Sequence, residues 1–173
     1  GQSATMIEEW AKSADDAVGL SASSYNELAA SIGGSLRTAG YSMDETASKT
    51  NDMIQAAADL SSVFGGDTAE AAGAMGAALR GQFDPLERFG VFMTMNAVNA
   101  RLAAAGQDKL TGAAGEAAKK QMVNNMILEQ AGQYSGNFAR EADTAAGAQQ
   151  RAAAATQNAK AAMGEAFLPA IVA

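Results

Sequence analysis

At 173 residues the chain is long enough for one ordinary domain, or for two small helical subdomains sharing a core. Apolar residues make up 48%, but much of that is alanine and aromatics are only 6%, so a core needs close backbone approach or partner chains. A net charge of −7 without any Lys/Arg cluster excludes groove or backbone binding to nucleic acid, and the absence of Cys and His removes disulfides and the commonest base and metal ligand.

Opening on Gly1 rather than Met, the chain reads as a piece of something longer, with no signal peptide and nothing near the ~18 apolar residues of a membrane span. Met6, Ile7, Trp10, Ala11 and Ala14 share one helical face, which predicts a first helix over residues 2–18 that Gly19 stops. A second helix is expected over 22–39, with Tyr25, Leu28, Ala29, Ile32 and Leu36 as its stripe and Gly40 just past its end. Gly33 and Gly34 weaken that helix but admit a neighbour closely.

Ser42-Met43-Asp44-Glu45 has the form of a capping box, in which the serine bonds the third backbone amide and the glutamate returns the bond. Met53, Ala57, Leu60 and Phe64 follow as a core stripe ending at Gly65-Gly66, and Asp67-Thr68-Ala69-Glu70 opens the next helix in the same way. On it Ala69, Gly73 and Ala77 form a small-residue seam expected to pack tightly against another helix.

The run from Gln82 to Val91 breaks regularity, and its Phe83, Leu86 and Phe89 are expected to plug the core from an ordered elbow at 83–91. Thr94 is placed to cap a short helix through Leu102; 103–115 is expected to be a loop, and 116–131 a helix with Met122, Val123, Met126 and Ile127 on one stripe. After a turn at 132–136, a long helix over 143–167 carries Ala145, Ala148, Ala152, Ala155, Ala159, Ala162 and Ala166 at steps of three and four, an alanine heptad seam. Such a seam predicts close packing on a partner helix, with off-seam Gln150 and Gln157 tolerant of change. The fold class is therefore all-α: a bundle of six to seven helices in a helical region 1–132, followed by a turn and long Ala-rich helix over 133–173.

Chemistry-bearing groups are few. The pairs Glu8-Glu9, Asp15-Asp16 and Asp44-Glu45 could supply acid, base or oxygen ligands, but adjacent helical positions diverge by about 100° and none follows a calcium-loop pattern. They read as solvated or capping carboxylates. Gly33-Gly34 and Gly65-Gly66 lack the strand and Lys-Ser/Thr of a phosphate loop. The nine methionines fit core filling better than a binding groove, Trp10 anchors the first helix, and Lys109, Lys119 and Lys120 solvate helix ends. No catalytic, cofactor or metal site is expected, and the chain is not expected to be an enzyme.

The order of motifs resembles a known family. Ala57-Ala58-Asp59-Leu60, Phe64-Gly65-Gly66-Asp67-Thr68-Ala69-Glu70-Ala71, Ala78-Leu79-Arg80-Gly81 and Pro85-Leu86-Glu87-Arg88-Phe89-Gly90-Val91 look like the most characteristic block of phage tail tape measure proteins. Ile127-Leu128-Glu129-Gln130, Gly136-Asn137-Phe138-Ala139-Arg140, Gln149-Gln150-Arg151 and Gly164-Glu165-Ala166-Phe167-Leu168-Pro169-Ala170 match later blocks in order; Gly19-Leu20-Ser21 and Gly40-Tyr41-Ser42-Met43-Asp44-Glu45 fit earlier ones. Val123-Asn124-Asn125 departs from the family, which often carries Arg and an aromatic there.

The resemblance implies a structural protein of a phage or prophage tail that occupies the tube lumen in the virion, after a period in the host cytoplasm. It would help set tail length, assembly and DNA ejection, with tail tube, tail tip and tail assembly chaperone proteins as partners and self-association expected. The alternative is a generic helical interaction module from a secreted or prophage-derived effector.

Overall fold

A computed structural model describes residues 1–172, with side chains described through Glu165; Ala166 of the alanine seam and Phe167-Leu168-Pro169-Ala170 of the last motif lie outside the described side chains. Among the described residues the chain is helical throughout, without strands: α1 (Gln2–Lys12), α2 (Ala14–Ala17), α3 (Ala22–Arg37), α4 (Met43–Phe64), α5 (Thr68–Leu79), α6 (Asp84–Glu87), α7 (Met95–Ala104), α8 (Gly112–Ala131), a 3-10 turn (Gly132–Tyr134), α9 (Asn137–Arg140) and α10 (Ala145–Val172). Seven of these have ten residues or more, and α2, α6 and α9 are single turns.

The start signals act as their chemistry requires. At α4 the Ser42 hydroxyl accepts from the Glu45 amide at 3.1 Å while the Glu45 carboxylate accepts from the Ser42 amide at 2.9 Å. Asp67 and Glu70 make the same reciprocal pair at α5, and Thr94 accepts from the Ala97 amide at α7. Ser21 caps α3 through the Ser24 amide.

Helix α4 is the axis of the bundle: α1, α3, α5, α8 and α9 all pack on it. Its Met53, Ile54, Ala57 and Leu60 are fully buried, meeting Tyr25, Ile32 and Leu36 of α3 and Met75 of α5 in one continuous core. Much of that core is alanine, so helices sit close and each buried residue contributes less transfer free energy than a leucine would. In the elbow, Leu86, Phe89 and Val91 are buried, whereas Phe83 is only half-buried at the core margin. The single turn α6, with Pro85 in its first turn, aims Leu86 inward; Phe83 precedes that turn and lies across its edge. Gly90, at φ +75°, turns the chain past the Phe64 ring, which leaves no room for a Cβ.

Other boundaries differ from the expected ones. The first helix breaks at Ser13, whose hydroxyl bonds back to the Trp10 carbonyl at 3.5 Å, local bonding that competes with helix continuation. Helix α8 begins at Gly112, because the alanines at 113, 114, 117 and 118 are good helix formers and Gly115 lets the turn pass against the Leu110 carbonyl. The Ala69/Gly73/Ala77 seam is not as a whole the packing face of α5: Ala77 is buried, but Gly73 is exposed and Ala69 half-buried, while Ala71, Ala72, Met75 and Ala78 face the core. Neighbours approach α5 on its more apolar side.

Candidate functional site

Two surfaces concentrate the unusual side-chain chemistry: a polar seam where distant segments meet, and an open groove between α1, α3 and α4.

The seam is built from α4 outward. Asp59, half-buried five residues before the α4 terminus, accepts from the backbone amides of Gly136 at 3.1 Å and Phe138 at 3.0 Å. It thereby caps α9, which cannot cap itself because the preceding residue is Gly136 at φ +81°. Asn137 adds a bond to the Ser62 hydroxyl at 2.8 Å, and Phe138 is thus held in the core.

Helix α10 is fastened to the same region by polar groups. The Arg151 guanidinium lies 4.0 Å from the centre of the Phe138 ring, donates to the Phe138 carbonyl at 2.9 Å and to the Asp16 carbonyl at 3.0 Å. Gln150 donates to the Thr68 hydroxyl at 2.9 Å and the Gly19 carbonyl at 3.3 Å, and Thr68 in turn donates to the Val18 carbonyl at 2.7 Å. Asn158 accepts from the Ala22 amide at 2.9 Å. Ala154 is the buried alanine of α10 among the described residues.

The docking face of α10 is therefore Gly147, Gln150, Arg151, Ala154 and Asn158. Ala145, Ala148, Ala152, Ala155, Ala159 and Ala162 all face solvent, contrary to the expected alanine contact. Alanine offers a neighbour almost no area, whereas three hydrogen-bonding side chains at steps of one and seven can satisfy carbonyls and an amide left free at the Gly19 turn. Gln150 is accordingly not the neutral position its place off the seam implied. Self-association finds no support in the single chain's alanine seam.

The acidic pairs are spread apart. Glu9 pairs with Lys12 at 2.9 Å, Asp44 accepts from the Ser3 hydroxyl at 2.7 Å, Glu45 caps α4 and Asp16 lies 3.9 Å from Arg151. Among the described residues no three carboxylates converge as a metal site would need. The Ser42 amide and hydroxyl hold the Glu45 carboxyl below its ordinary range, and burial pushes the Tyr25 phenol up while its hydroxyl donates to Asn51 at 2.7 Å. Gly66 makes room for the Glu70–Arg88 ion pair at 3.4 Å, a packing role rather than a phosphate cradle. Asn124, in the stretch that departs from the resembled family, is completely buried on α8 with no partner for either amide atom; the Tyr41 hydroxyl lies near without reaching hydrogen-bond geometry.

Comparison of the chain with protein-family models, with curated proteins and with solved structures finds no match. None of the described helices is long and apolar enough to cross a membrane.

The groove was not legible from periodicity. It holds about 610 Å³, is lined by Ile7, Ala30, Gly33, Gly34, Met43 and Ala47 among others, and carries Glu8 on its α1 wall and Arg37 on its α3 wall. Gly33-Gly34 was its one sequence signal.

Proposed function

We propose that the chain is a non-catalytic structural segment of a phage or prophage tail tape measure protein, acting within the tail tube in tail-length determination, assembly and DNA ejection. The observation that carries this reading is the ordered series of motif blocks across the chain. What supports it further is that the blocks meet one another through their most distinctive residues. Asp59 of the first block caps the Gly136-Asn137-Phe138 block. Gln150 and Arg151 join the Gln149-Gln150-Arg151 block to Thr68, Gly19 and Phe138. Gln130, closing the Ile127 block, both donates to and accepts from the Phe92 backbone beside the elbow at 3.0 Å. Apart from the Arg151–Phe138 bond, these contacts join residues 38 to 131 positions apart, so the blocks depend on one another for their polar partners.

On this reading the partners are tail tube, tail tip and tail assembly chaperone proteins, and the location is the virion, after the host cytoplasm. Proteomic analysis of purified phage particles tests it. The parent polypeptide is expected in tailed particles and in isolated tails. Its absence from particles, with recovery in a secreted fraction, would instead favour the helical interaction module, which the open groove on α1, α3 and α4 also suits.

A further inference from the structure

We propose, independently of the tail reading, that α10 is a releasable strap: it undocks as an intact helix from a body, α1 to α9, that stays folded without it. The continuous core draws residues from each of α1 to α9 and, among the described residues, none from α10. Ala154 is buried where the strap lies down, but outside that core. What seats α10 is a polar clasp: Gln150 on Gly19 and Thr68, Arg151 on Asp16 and Phe138, Asn158 on Ala22. Past Asn158 every described side chain, Ala159 to Glu165, is exposed, so contact with the body ends there.

Such a clasp opens at small net cost, because protein hydrogen bonds exchange for bonds to water, whereas the apolar burial that holds the body has no such substitute. The seated state is also incompletely satisfied. Arg151 spends Nε and Nη2 on carbonyls, but Nη1 is buried with no partner, and the Asp16 carboxylate 3.9 Å from Nε is almost wholly exposed. Undocking returns Nη1 to water, and Thr68 keeps its bond to the Val18 carbonyl. The released helix persists because its start is capped within its own segment: the Thr144 hydroxyl accepts from the Gly147 amide at 3.2 Å, and an alanine-rich sequence favours helix. Residues 141–144, between α9 and α10, are the hinge. Release uncovers the Phe138 ring face that Arg151 covers, together with the Gly19 carbonyl.

Amide hydrogen exchange followed by nuclear magnetic resonance on the full chain tests this, because the Ala22 amide bonds to Asn158 at 2.9 Å and so reports docking directly. Ala22 is expected to be protected, but at least about a hundredfold less than Ile54 and Leu60, which are fully buried in α4. Arg151 makes no bond to Ala22, so only movement of α10 as a unit couples the two. Arg151→Ala should therefore speed exchange at Ala22 at least about tenfold, leave Ile54 and Leu60 unchanged, and preserve the helical circular dichroism. Ala152→Leu, on the exposed side, should leave Ala22 as it is. Ala22 exchanging only together with Ile54 and Leu60 would overturn the proposal by making α10 part of the body. Exchange at the rate of an unprotected peptide in the unaltered chain would overturn it by showing that α10 is not seated. An Ala22 rate indifferent to Arg151→Ala would mean that the Asn158 bond opens by itself, and faster exchange at Ile54 and Leu60 in that variant would make the body dependent on the strap; either result overturns it.

Discussion

Replacing Asp59 by Ala isolates the contribution of the seam. The carboxylate accepts two backbone hydrogen bonds at the start of α9, from Gly136 at 3.1 Å and Phe138 at 3.0 Å, and nothing else caps that turn. Hydrogen bonds to charged groups contribute about 1.5 to 3 kcal/mol, and loss of a helix cap about 0.5 to 2 kcal/mol. Asp59 is half-buried, so water replaces part of what is lost, and a net cost of about 2 kcal/mol is expected for Asp59→Ala. For a chain of this size that corresponds to a fall in melting temperature of about 4 to 8 °C. Asp59→Asn, which keeps one carbonyl acceptor but loses the charge, should fall about halfway. Urea unfolding followed by circular dichroism, with the slope unchanged, measures both. A loss below about 0.5 kcal/mol for Asp59→Ala would refute the view that this carboxylate joins the two blocks.

On α10, Gln150→Leu should cost about 1 to 3 kcal/mol, because it strips bonds from Gly19 and fully buried Thr68. Ala152→Leu, on the exposed stripe, should change dilute-solution stability by no more than about 0.5 kcal/mol in the same assay. Asn124→Leu should stabilise by about 1 kcal/mol in chemical denaturation, since it removes an amide buried without partners, and destabilisation would show that the neighbouring Tyr41 hydroxyl or a bound water satisfies it. The pH dependence of melting should carry two signatures. Glu45, depressed below its ordinary 4.5 by the Ser42 bonds, contributes stability above that value that is lost as pH falls through the folded value, and Glu45→Gln should flatten this acid limb. Tyr25, raised above its ordinary 10.0 by burial, contributes stability below that value that is lost as pH climbs past it, a limb that Tyr25→Phe removes.

What was legible in the sequence was whatever depends on near neighbours. Ser42-Glu45 and Asp67-Glu70 announce their helices because both partners of each bond lie within four residues. The stripes on α3, α4 and α8 point inward because large apolar groups leave a helix few alternatives, apart from Phe64 at the end of the α4 stripe, which is 38% exposed. Alanine carries no such instruction. Half of residues 145–166 are alanine, so the period cannot say which face is buried, and polar residues with partners 82 to 136 positions away decide it. The same remoteness hid the part of Asp59, which on its own helix reads as a surface acid. The groove was hidden because it is an absence of side chains at Gly33 and Gly34, visible only once α1 and α4 stand beside α3.

The most direct measurement is electron microscopy of particles released after disruption of the parent reading frame in the phage or prophage that carries it. A structural role inside the tail tube predicts filled heads without tails, and normal tails restored when the intact gene is supplied in trans. Tails of ordinary length and number in the disrupted strain would contradict it.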